Sequence, residues 1–325
     1  MVRNGGPADP VVSVVVAAYQ AEAFVTKAIA SALDQAGLVV EVLISDDASR
    51  DDTVAVAEAE AANDPRIRVL RAPRNGGPSV ARNRAIDAAR GRWIAVLDSD
   101  DRFLPGRLAR MVAFAEDRGA DIAFDLFAEC DVAGNRIGGK IAPPVHVPEE
   151  WDLARWASDN RMYDGEGTGY LKPLFRRDFL QSNGIRYDET LRNSEDYAIV
   201  AEVLARGGAV WCMPETGYLY TRREGSLSHR IGQRELSALI VADAAFRARH
   251  PGLDAAAVAA LDDRLRSLDR AMTLATTIDA LKERSPIRAA GTIAREPGAW
   301  MLFMRWFGEM AGKRVNALVG RHRRG

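Results

Sequence analysis

Apolar and polar positions in the first 130 residues follow two alternating periods. Residues 11–18 form a short, nearly continuous apolar and β-branched run, the pattern of a strand buried on both faces. Over residues 21–36, Phe24, Val25, Ala28, Ile29, Ala32 and Leu33 fall on one helical stripe. Residues 39–45 predict a second buried strand. A helix to about residue 62 follows, with Ser49, Asp51 and Asp52 as candidate caps. Further strands are predicted over 66–71, 93–97 and 122–128, with a helix over 79–89 and another opening at Pro105. Such alternation implies right-handed crossovers and a mainly parallel α/β sheet. Ligands bind beyond the carboxyl ends of strands in these sheets. Tyr19, Asp46, Asp47, Asp98 and Asp100 each follow a strand signal and should therefore share one edge.

Later segments are less regular. Residues 134–169 read as loops and short elements around a substrate pocket. A helix is expected from about Asp196 to Ala205, and a strand or hairpin over 209–220. Beyond Gln233 the chain is Ala-rich and helical, with breaks near Pro251, Pro286 and Pro297. The expected organisation is a catalytic domain at 1–230, with halves at about 11–130 and 131–230, and a separate helical region at 231–325.

Composition narrows the classes. The 325 residues are 47% hydrophobic and 27% charged, with a net charge of -1, so no nucleic-acid partner is expected. Cys130 and Cys212 form no C-x-x-C pair and read as reduced thiols. No signal-peptide pattern and no run of eighteen apolar residues occurs, which points to the cytoplasm. Trp300, Met301, Leu302, Phe303, Met304, Trp306 and Phe307 precede a cationic end with no acid after Glu309. That pattern fits peripheral contact with the inner face of the membrane, or a helix docked on the domain.

Five segments carry candidate chemistry. In Asp98-Ser99-Asp100-Asp101, three carboxylates in four positions repel one another. A Mn2+ or Mg2+ ion bridging to substrate phosphates relieves this; a solvated acidic turn is the alternative. Asp46 or Asp47 can accept a base N–H, with the ring of Tyr19 alongside. Asn75-Gly76-Gly77 opens a helix bearing Arg82, suited to diphosphate or a base edge, or simply a junction with a surface arginine. It matches neither the P-loop nor the dinucleotide fingerprint. Glu195-Asp196 is either a dipole-complementing pair or contains a general base. Arg222, Arg223 and His229 flank a Gly-Ser loop that can close over phosphates or remain a solvated basic loop.

Taken in order, these segments resemble the family 2 inverting glycosyltransferases with a GT-A fold, over about residues 11–230. Ile44-Ser45-Asp46-Asp47-Ala48-Ser49 with Asp51-Asp52-Thr53 is similar to the family's D-D-G-S-x-D-x-T, with Ala48 in place of Gly. Asn75 to Asn83 resembles N-x-G-x-x-x-A-R-N, and Leu97 to Asp101 resembles L-D-x-D-D. Glu195-Asp196 resembles the E-D pair, and Arg222 to Ser228 the late R-x-x-x-G-S-x-S loop. The resemblance implies that Ala18, Tyr19 and Asp46 or Asp47 hold the base, with Arg82 near the base and phosphates. Asp98, with Ser99, would meet the ribose or the metal shell, and Asp100 the metal. Arg222 and Ser226 would contact the diphosphate. Asp196 would be the catalytic base, with Glu195 close by. The implied reaction moves a sugar from a nucleotide sugar, with UDP as the expected nucleotide, to a glycan or lipid-linked saccharide in polysaccharide assembly. Two rivals are a sugar-nucleotide-forming nucleotidyltransferase and a non-catalytic nucleotide-sugar-binding protein. The first should carry a Gly-rich, cationic loop soon after the first strand, where residues 20–27 have no glycine.

Overall fold

The computed structural model describes residues 10–137, 145–223 and 231–308. The predicted alternation is present as β1 (Val12–Ala18), α1 (Val25–Leu33), β2 (Val40–Asp46), α2 (Thr53–Asn63), β3 (Ile67–Arg71), α3 (Pro78–Ala88) and β4 (Trp93–Asp98). The four strands pair in parallel in the order β3-β2-β1-β4. Their apolar runs have both faces covered, and Val14, Val15, Val16, Leu43, Ile44, Val96 and Leu97 are all buried. α1 starts later than its stripe suggests, because residues 21–24 first make a turn tied to the next crossover. There Ala21 N–H donates to Thr53 Oγ1 (2.8 Å) and Glu22 N–H to Asp51 Oδ2 (3.2 Å).

A buried polar lock sets the start of this sheet. Ser13 lies opposite Glu41 across β1 and β2 and donates to its carboxylate (2.6 Å). Glu41 also accepts from the backbone and guanidinium of Arg90 (2.7 and 3.0 Å). Burial alone would raise the Glu41 carboxyl, but the donors from Ser13 and Arg90 outweigh it and hold it below its usual range. Gly91 donates to Ser13 Oγ (2.8 Å), and a Cβ at Gly91 would lie 2.5 Å from the Ser13 nitrogen, so this approach requires glycine.

The rest of the sheet is mixed. It comprises β5 (Arg102–Phe103), α4 (Arg107–Arg118), β6 (Ile122–Cys130), β7 (Glu149–Trp151), α5 (Leu153–Asp159), a 3-10 turn (Thr168–Tyr170), β8 (Leu174–Arg176), α6 (Arg177–Ser182), α7 (Glu195–Ala205) and β9 (Val210–Thr221). β8 runs antiparallel between β4 and β6, and β6 pairs in parallel with β9. Val96 N–H donates to Pro173 O (3.2 Å), which brings the segment entering β8 to the carboxyl end of β4. That insertion brings the segment before β8 to the same sheet edge as the ends of β1 and β2.

α8 (Gln233–Arg249), α9 (Ala255–Lys282), α10 (Pro286–Ala294) and a helical segment at 298–308 complete the described chain. Phe246, Ala257, Ala260 and Leu261 join the hydrophobic core of the sheet. Arg264 of α9 stacks its guanidinium 3.5 Å from the Tyr197 ring centroid, so α9 buttresses α7. Cys130 and Cys212 are buried free thiols. Among the described residues no helix is long and apolar enough to cross a membrane.

Candidate active site

Parallel register sets Ala18 beside Asp46 and Ala17 beside Asp98, so the strand ends converge. They open into a cleft of about 360 Å³. Ala18, Tyr19, Asp47, Arg82, Asp98, Ser99, Asp100, Glu195 and Asp196 all line it. Asp46 and Arg222 do not line it. Asp46 is buried beneath the cleft, with Oδ2 accepting from Ser49 N–H (3.1 Å) and Oδ1 without a partner among the described residues. The alternation of side chains along an extended backbone separates it from Asp47. Arg222 turns away to Glu129 (2.9 Å), and Arg223, one alternation on, faces the cleft instead. Ser226 and His229 lie outside the described residues.

Asp47 organises the Gly-rich turn. Its carboxylate accepts from Gly76 and Gly77 N–H (2.9 and 2.7 Å), and its carbonyl from Asn75 Nδ2 (3.1 Å). Gly77 has φ +97°, and a Cβ there would lie 3.2 Å from Arg192 Nη1. α3 then carries Arg82 inward. Its buried guanidinium donates to Glu195 (2.6 Å) and Asp98 (2.8 Å) and lies 3.7 Å from Asp196.

Lys172 joins the two halves of the site, and local sequence gave no sign of it. Its ammonium is 2.9 Å from Asp98 Oδ2 and 2.8 Å from Asp196 Oδ2. The Lys172 carbonyl is held by Arg107 (2.8 Å), itself in a buried ion pair with Asp125 (2.6 Å). Tyr187, also unanticipated, donates its hydroxyl to Asp196 Oδ1 (3.0 Å). Burial would raise the Asp98 carboxyl, but Lys172 and Arg82 outweigh it and hold it well below the usual carboxylate range. Burial opposes the Lys172 charge, yet Asp196 and Asp98 drive its pKa upward, so it stays protonated.

The end of β4 is pinned to β9. Asp101 is buried, accepting from Tyr218 OH (2.7 Å) and Thr221 N–H (2.7 Å), while Tyr218 OH accepts from Asp98 N–H (3.2 Å). Burial first, and then the charges of Asp100 and Asp98, push the Asp101 carboxyl well above its usual range. Asp101 is thus a structural clamp, distinct from its neighbours.

The donor set fits a substrate-bridged divalent ion better than a preformed cage. Among the described residues no cluster of three or more acidic, His or Cys side chains stands ready to hold a metal. Both oxygens of Asp98 are taken by cations, whereas among the described residues Asp100 is paired through Oδ2, to Arg223 (2.5 Å). Among the described residues Asp47, Asp98, Asp100, Glu195 and Asp196 line the cleft with Arg82, Lys172, Arg192 and Arg223, five acids to four bases. That excess of negative charge suits a divalent cation, which Asp100 would hold.

The model of the family described as "Glycosyl transferase family 2" matches residues 13–179, just over half of the chain. The chain belongs to glycosyl transferase family 2. It is a glycosyltransferase, and the match spans β1 to α6 of the sheet. Among relatives of this family 2 chain, the succinoglycan biosynthesis protein ExoO of Rhizobium meliloti (strain 1021) is 40% identical over 89% of this chain and 83% of its own length. Succinoglycan biosynthesis protein ExoU of the same organism is 36% identical over 73% and 69%. The fold is that of S. aureus TarS 1-349 in complex with UDP-GlcNAc, at TM-score 0.60 and 19% identity, covering 88% of this chain and 92% of that one. The TarS complex with UDP superposes with TM-score 0.58 at 18% identity.

Proposed function

We propose that this glycosyltransferase moves a sugar from a nucleoside diphosphate sugar, UDP being the expected nucleotide, to a hydroxyl of a glycan or lipid-linked saccharide in cell-surface polysaccharide assembly. One observation carries the reading: Lys172 holds Asp98 and Asp196 on a single ammonium, at 2.9 and 2.8 Å, so the donor-side acid and the base share one cleft. The part that ExoO and ExoU take in succinoglycan biosynthesis supports the polysaccharide setting. The UDP-GlcNAc bound by TarS supports the donor class.

In this mechanism the base lies against Tyr19 and Asp47, and Arg82 and Arg223 face the diphosphate. Asp196 removes the proton from the acceptor hydroxyl as that oxygen attacks the anomeric carbon. The bond from that carbon to the diphosphate oxygen breaks, and configuration inverts. Tyr187 and Lys172 hold the two Asp196 oxygens in place, and α9 braces α7 through Arg264. Fixed cationic side chains then meet charge developing on the leaving group. Mn2+ or Mg2+, held by Asp100 with Asp98 beside it, would supply Lewis-acid stabilisation of that charge.

We also assign the C-terminal segment to the inner membrane face. Trp300, Met301, Met304 and Phe307 are exposed on residues 298–308, while Ala299 is buried against the protein. An apolar face of this kind followed by a cationic sequence suits an anionic interface. A panel of nucleotide sugars with Mn2+ and an oligosaccharide acceptor tests the main proposal. Release of the nucleoside diphosphate with a new glycosidic bond is the expected outcome. Pyrophosphate release from a triphosphate, or binding without turnover, would contradict it.

A further inference from the structure

The acceptor side of the cleft holds an aromatic ring that the fold takes trouble to keep in solvent. Tyr170 is 43% exposed and lines the same cleft as Asp196. It ends the 3-10 turn, whose backbone closes through Tyr170 N–H to Gly167 O (3.2 Å) and Leu171 N–H to Thr168 O (3.0 Å). Asn160 clamps that turn, donating to Thr168 Oγ1 (2.7 Å) and accepting from Gly169 N–H (2.8 Å). A Cβ at Gly169 would lie 2.6 Å from Asn160 Oδ1, so a larger residue there would push the clamping amide aside. Thr168 and Leu171 are buried on either side, and two residues on Lys172 reaches Asp196. The Tyr170 ring meets Tyr220 edge-on, with centroids 6.2 Å apart, and Tyr220 leans on Phe127 at 5.6 Å. A rigid turn of buried residues that presents one flat, half-exposed ring to a reactive carboxylate is a platform.

We propose that Tyr170 is the specificity-determining platform for the acceptor: a pyranose ring lays its C–H-rich face on the phenol ring and turns a hydroxyl to Asp196. Flat aromatic surfaces suit the apolar face of a sugar, while its hydroxyl edge needs polar partners. Asn193 and Ser194, at the start of α7, line the cleft and supply them. Selection of a saccharide over a simple alcohol then comes from Tyr170, and chemistry from Asp196. This rests on the glycosyl-transfer reading and sharpens its acceptor.

The test is saturation-transfer NMR on the full chain with UDP and diamagnetic Mg2+, using cellobiose as the probe. Wild type, Tyr170→Phe and Tyr170→Trp should transfer saturation to the ring C–H protons. Tyr170→Ala and Tyr170→Leu should bind cellobiose about tenfold more weakly, the loss of one aromatic contact. Tyr170→Leu retains apolar bulk without a flat ring, and thermal unfolding checks that each variant is folded. Equal cellobiose affinity in Tyr170→Leu and wild type, or no cellobiose binding by wild type, would overturn the proposal. UDP titration of the same samples separates the two claims. If UDP fails to bind wild type, the nucleotide-sugar reading falls, while the cellobiose comparison still decides Tyr170.

Discussion

Lys172 and Asp196 form a 2.8 Å ion pair in the cleft, and the same ammonium lies 2.9 Å from Asp98. The two acids that the proposed reaction uses are therefore fixed against one side chain. The backbone of that side chain is held by the Arg107–Asp125 pair beneath the sheet.

Replacing Lys172 by Met should leave the buried Asp196 and the partly exposed Asp98 without their shared cation. A loss of about 3–5 kcal/mol in stability is expected, as when one partner of a buried pair is removed. Turnover should fall with it. Urea unfolding and steady-state kinetics of Lys172→Met measure both, and unchanged values would show that the pair is incidental.

The Glu41 lock makes a pH prediction. Its folded carboxyl lies below the usual 4.5, so its contribution is present at neutral pH and is lost as pH falls from about 4.5 through the folded value. Glu41→Gln should cost about 2 kcal/mol at pH 7, the scale of hydrogen bonds to a charged group. The gap between the variant and wild type should narrow below pH 4.5. Urea midpoints across pH 3–7 provide the check, and a pH-independent gap would contradict the assignment.

A divalent ion should be required for transfer. Chelation by EDTA is expected to abolish turnover and Mn2+ or Mg2+ to restore it. Asp100→Asn should raise the metal concentration needed, whereas Asp101→Asn should act mainly on stability. Full activity in EDTA would remove the metal from the account.

Met301→Glu with Phe307→Glu should reduce flotation of the full chain with anionic liposomes while leaving turnover on a soluble acceptor intact. Equal flotation would mean that the exposed face does not meet lipid.

The first four strands and their helices were legible because a doubly covered strand writes an unbroken apolar run, as in Val14 to Val16 and Ile94 to Leu97. The three-residue strand Leu174–Arg176 was not legible. It is too short to carry a period, and its pairing with β4 is a tertiary fact. Lys172 went unseen for the same reason, since its partners are remote in sequence. The choice between Asp46 and Asp47, like that between Arg222 and Arg223, depends on which side of the backbone each residue leaves. A boundary error of one residue inverts that. The placement of Tyr19, Asp98, Asp100 and Asp196 in the cleft was legible because each stands near the end or start of a patterned element, whereas Arg82 lies one turn into α3.

The central claim is that Asp196 is the base of an inverting transfer. It is tested most directly by single-turnover transfer in Asp196→Asn beside UDP binding by the same protein. A fall of about a hundredfold to ten-thousandfold in transfer is expected, with UDP affinity retained. Near-normal transfer by Asp196→Asn would contradict it.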